Sequence, residues 1–93
     1  MNLIKKEEKK PCRKEGIQEQ KLDRELMLLD PDTDHIHILN ETAKVIWRLA
    51  DGRHTLKEME KKVKERFSVN NGHDVKGDIE RVIGELKEKG LLK

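Results

Sequence analysis

His35 and His37 stand two residues apart in the run His35-Ile36-His37-Ile38-Leu39. On a strand that spacing puts both imidazoles on one face, the beginning of a metal site. A closed zinc site takes four protein ligands, and an open catalytic one takes three plus water. Asp34, His54, His73 and Cys12 are the candidates for the rest, and none stands at a diagnostic spacing from the pair. The plainer reading is two exposed histidines on the outer face of a half-buried strand. Cys12 is the sole cysteine, which excludes an internal disulfide and a CxxC pair. It lies in a charged N-terminal segment that offers no base to activate a thiol. The sole serine, Ser68, is in no nucleophile-elbow context. The 19 carboxylates are spread along charged stretches, whereas acid–base pairs need a water-excluding cleft to part their pKa values. There is no glycine-rich phosphate loop. These residue types point to a chain that is not an enzyme and that carries neither cofactor nor metal.

Composition narrows the binding options. Only Trp47 and Phe67 are aromatic, too few for a base-stacking surface. Residues 1–15 hold six cations and three anions, so the other 78 residues carry 15 cations against 16 anions. The basic character therefore lies in the tail, while a duplex-binding domain concentrates cations on its reading face. No apolar run approaches the ~18 residues of a membrane span or forms the core of a secretory signal. The expectation is a cytoplasmic chain that binds neither nucleic acid nor membrane.

The elements follow from pattern. Residues 1–15, charged and broken by Pro11, read as a disordered basic arm. From 16 to 93 the chain reads as one domain. Ile17 to Leu22 is a weak strand candidate. Glu25-Leu26-Met27-Leu28-Leu29 is a short apolar run suited to a central strand. Asp30-Pro31-Asp32-Thr33-Asp34 is a turn, because proline fixes φ and Asp side chains bond nearby amides. His35 to Leu39 then alternates, with Ile36 and Ile38 on one face and the histidines on the other. Three helices follow. The first is capped by Asn40 and stopped at Asp51-Gly52, with Val45, Ile46 and Leu49 on its apolar face. The second opens on the capping box Thr55-Leu56-Lys57-Glu58 and repeats Leu56, Met59, Val63 and Phe67. Asn70-Asn71-Gly72 reads as a loop. The third begins near Asp74, buries Val75, Ile79, Val82, Ile83 and Leu86, and ends at Gly90 with Leu91 folded back. Gly77 and Gly84 lie on its other face, either admitting a close partner or simply carried by a helix held through its buried side.

The predicted fold class is α+β: a three-stranded antiparallel meander followed by three helices, a winged-helix-like order. Such folds place a helix in the major groove, which makes a winged-helix DNA-binding regulator the alternative reading. The last helix, Asp74 to Lys89, carries four cations against five anions, so electrostatics oppose it. The strand His35 to Leu39 is left as an edge, and it has no lysine or proline to protect it. It can be covered by a helix or loop, can pair in a dimer, or can accept a peptide as an added strand.

Leu39-Asn40-Glu41-Thr42-Ala43, Ile46-Trp47, Asp51-Gly52, Thr55-Leu56, Val75-Lys76-Gly77-Asp78-Ile79 and Gly90-Leu91-Leu92, taken in order over residues 16–92, resemble the PqqD-type proteins. These are small peptide-binding proteins of ribosomal-peptide modification pathways. The resemblance implies a non-catalytic carrier that binds the leader of a precursor peptide by strand addition. It would present the peptide to a modifying enzyme, commonly a radical S-adenosylmethionine enzyme, in pyrroloquinoline quinone synthesis or a related pathway. It also implies the site: His35, Ile36, His37, Ile38 and Leu39 as the strand partner, and Asp78, Ile79 and Val82 on the helix wall. The expected partners are thus a leader peptide and that enzyme, with the chain itself a monomer or weak homodimer. The first strand matches the family poorly, and the basic arm is longer than its pattern.

Overall fold

The computed structural model describes residues 10–67 and 74–93. The chain runs β1 (Gln18–Leu22), β2 (Glu25–Asp30), β3 (His35–Leu39), α1 (Glu41–Leu49), α2 (Leu56–Phe67) and α3 (Val75–Glu88). The strands form one antiparallel sheet in the order β1-β2-β3, the α+β class expected. Tight turns enforce the meander. Asp23 and Asp34 take positive φ (35° and 59°), a conformation that short Asp side chains tolerate. The expected loop Asn70-Asn71-Gly72 lies outside the described residues.

The helix ends are built as their residues dictate. The Asn40 side chain accepts from the Ala43 amide at 2.8 Å. The Thr55 and Glu58 side chains accept from each other's backbone amides at 3.1 and 2.8 Å, closing the capping box. Asp74 caps α3 by accepting from the Gly77 amide at 3.0 Å. A side chain at Gly77 would land on the Asp74 carboxylate, whereas one at Gly84 would meet nothing. Gly77 therefore serves the cap, which resolves one of the two unexplained glycines. At the far end Gly90 turns with φ 71°, and the Leu91 amide returns to the Leu86 carbonyl at 2.9 Å. That brings Leu91 into the core.

All three helices lie on one side of the sheet. The core joins Leu26, Leu28 and Leu39 to Ile46 and Trp47 of α1, Met59 and Val63 of α2, and the full expected stripe of α3. The Trp47 indole nitrogen donates to the Glu19 carboxylate at 3.0 Å, tying α1 to β1.

Two expectations change. First, residues 11–15 belong to the fold. Cys12 bridges to Asp51 and Arg13 to Leu92, both antiparallel. Four backbone bonds of 2.8–2.9 Å join this segment to Ala50, Gly52, Leu91 and Lys93. The charges that read as solvated are engaged. Lys14 pairs with Asp30 and Asp32 at 3.0 Å each. The segment expected as a disordered arm through residue 15 is therefore folded from Pro11 onward; composition misled because these cations meet partners distant in sequence. Second, the faces of β3 are inverted. Ile36 and Ile38 are 59% and 48% exposed, while Leu39 is buried and His37 half-buried. Register explains it: Leu39 pairs with Leu26 and His37 with Leu28, both buried on the helix side, whereas Ile38 and Ile36 pair with Met27 and Leu29 on the open side.

Candidate functional site

Among the described residues β3 pairs with β2 alone, and no described strand occupies its second backbone edge. An edge strand turns alternate N–H and C=O groups outward, where another strand can complete the ladder. β1 is the other edge, but it carries Glu19 and Lys21 and is exposed along most of its length. β3 carries no such charge in its central positions.

What lies beside β3 is a groove of about 210 Å³. One side is Ile38, Leu39, Asn40 and Ala43, from the end of β3 and the start of α1. The other side belongs to α3: Arg81, Val82, Glu85, Leu86 and Lys89. No Cα of α3 lies within 8 Å of a Cα of β3, so the two elements stand apart while both rest on the same core. Val82 and Leu86 are buried and floor the groove, whereas Arg81, Glu85 and Lys89 are exposed along its rim. The Arg81 guanidinium bonds the Asp78 carboxylate at 3.3 Å.

The histidines occupy the helix side of β3. Their rings meet edge to face with centroids 6.2 Å apart. Burial pushes the His37 imidazolium pKa below its ordinary value of 6.5; the charges of Lys89 and His35 push the same way, and Asp30 opposes them. The His37 Nε2 is buried without a hydrogen-bond partner. Among the described residues, no three His, Cys, Asp or Glu side chains converge into a metal site. Asp30, beside this strand, is buried at 1% exposure. Hydrogen bonding from Lys14 holds its carboxyl below the usual range.

Of the wall residues expected from the resemblance, Val82 lines the groove. Ile79 lies in the core at 1% exposure, and Asp78 is not among the groove-lining residues, though its carboxylate bonds Arg81 on the rim. The groove is also lined by Arg81, Glu85, Leu86 and Lys89, with Asn40 and Ala43 opposite, none of them named for the site from the sequence. A signal existed, since 81, 85 and 89 repeat every four residues one position before Val82 and Leu86. Which flank of the buried stripe faces β3 is set by the packing of α3, which periodicity leaves open.

A small sheet with one unprotected edge, set against an open helix-walled groove, defines a binding domain with the geometry to accept an added strand. The family model of coenzyme PQQ synthesis protein D (PqqD) matches residues 25–92, and the chain belongs to that family. No curated protein matches it. Among solved structures it is similar to TbiB1 in complex with the TbiA(beta) leader peptide, with a TM-score of 0.75 at 22% identity. That match covers 88% of this chain and 94% of the other, and the two share the fold.

Proposed function

We propose that this protein is a non-catalytic carrier of a ribosomally made precursor peptide, binding its leader as a fourth strand beside β3. The observation that carries the reading is the β3 edge facing the α3 wall across the groove. Backbone bonds along β3 would supply affinity and the groove side-chain selectivity. Family membership supports it, as does the leader peptide bound to the structurally similar TbiB1. The binding residues in this reading are His35 to Leu39 and Val82, extended by Arg81, Glu85, Leu86 and Lys89. The carrier would present its peptide in the cytoplasm to a modifying enzyme, a radical S-adenosylmethionine enzyme being the leading candidate, in pyrroloquinoline quinone synthesis or a related pathway.

The test is a titration of the isotope-labelled protein with the leader of a precursor encoded beside its gene. Amide resonances of Ile36 to Leu39 and of Arg81 to Lys89 are expected to shift together and saturate. Shifts confined to the N-terminal segment, or none at saturating peptide, would overturn the reading.

A further inference from the structure

The rim that α3 presents to the groove has a charge order. Arg81, Glu85 and Lys89 follow one another at four-residue steps, positive, negative, positive, and all three line the groove. Each step advances about 6 Å along a helix. On an extended strand, side chains of one face recur about every 6.6–6.8 Å. Over three positions these rulers drift apart by only about 1–2 Å, less than the reach of one long side chain. A strand beside β3 would turn every second side chain toward the helix layer, at nearly the spacing of the charges on the rim.

The surroundings leave these charges usable. Among the described residues, no ion pair joins Glu85 or Lys89 to a neighbour, and the pair between Arg81 and Asp78 is a surface one, with the Arg81 side chain 65% exposed. The buried floor of Val82 and Leu86 can take the aliphatic stems of Glu or Lys while their charged ends reach the rim.

We infer that α3 reads the charge pattern of the bound strand, selecting an extended peptide with an acidic, a basic and an acidic residue at alternate positions. The inference rests on strand addition at β3 and names what that site selects. The opposite pattern would set like charges at all three positions, which opposes binding and gives specificity through repulsion as well as attraction.

The experiment uses a displayed library of random twelve-residue peptides, selected in parallel against the full chain and against the triple variant R81E/E85K/K89E. Its three positions are exposed, and circular dichroism checks the fold. The single variant Glu85→Lys gives the same readout at the central position if the triple variant unfolds. Selection on the unmodified protein is expected to enrich acidic residues at n and n+4 with a basic residue at n+2. The triple variant is expected to enrich the inverted pattern, and Glu85→Lys an acidic residue at n+2. A peptide of each pattern should prefer its own protein by about five- to tenfold at low salt, as for two or three exposed ion pairs. Binders that shift the β3 amides but carry the same charge pattern for every variant would overturn charge reading and leave strand addition standing. Binders that leave the β3 amides unmoved, or no binders at all, would overturn both.

Discussion

The guanidinium of Arg13 lies 5.7 Å from the centroid of the Trp47 ring and also donates to the Trp47 carbonyl at 3.0 Å. A second bond, to the Arg48 carbonyl, is equally short. One cation thus caps two last-turn carbonyls of α1, where the helix dipole favours positive charge, and lies over the Trp47 ring. Arg13→Ala is expected to cost roughly 1–2 kcal/mol, the usual scale for charge-assisted bonds. Arg13→Lys should recover only part of this, since an ammonium lacks the planar fork. Urea denaturation of the three proteins measures both.

The inverted faces of β3 predict unequal costs for neighbouring substitutions. Leu39→Ala removes a buried side chain and is expected to cost about 2–5 kcal/mol. Ile36→Thr and Ile38→Thr change exposed positions and should each stay within about 0.5–1 kcal/mol. If thermal unfolding showed the two isoleucines to be the costly sites, the register of β3 against β2 would be wrong.

Plugging the groove separates binding from stability. Ala43 lines it from the start of α1 and is only partly buried. Ala43→Trp projects a large ring into the space where a strand would lie. Leader affinity by fluorescence anisotropy is expected to fall at least about tenfold, or 1.4 kcal/mol, with the melting temperature little changed. Undiminished affinity in a folded variant would count against the β3–α3 groove as the binding site.

His37 makes stability depend on mild acid. Its pKa is lowered in the fold, by burial first, so the unfolded chain takes up the proton more readily. The stability gained from the neutral ring is whole above the ordinary value of 6.5 and is lost as pH falls from there through the depressed folded value. His37→Gln should flatten the change in melting temperature between about pH 7 and 5. A further decline below about pH 4.5 should persist in that variant, because Asp30, Asp51 and Glu58 have lowered pKa values in the fold.

The capping box offers a local control. Thr55→Ala removes the acceptor for the Glu58 amide and is expected to cost about 1 kcal/mol. It should not alter peptide affinity, because Thr55 lies outside the groove. An affinity change matching the stability change would show that α2 is coupled to the site.

The sequence by itself determined the elements and most of the core. Cap residues act on amides within four positions, and a helix buries one stripe set by its own period, so Asn40, the Thr55–Glu58 box, Asp74 and the α3 stripe were all legible. Pattern left β3 as an unprotected edge, and the ordered family motifs made it the place to look. Tertiary structure alone decided three things. Alternation at His35 to Leu39 specifies two faces without saying which is inside; pairing of Leu39 with Leu26 chose. The cations Arg13 and Lys14 gave no local sign that Trp47 and Asp30 would receive them. The flank of α3 bearing Arg81, Glu85 and Lys89 became a groove wall only through how that helix is set on the core beside β3. In each case the deciding partner lies far away in sequence, where spacing within an element carries no information.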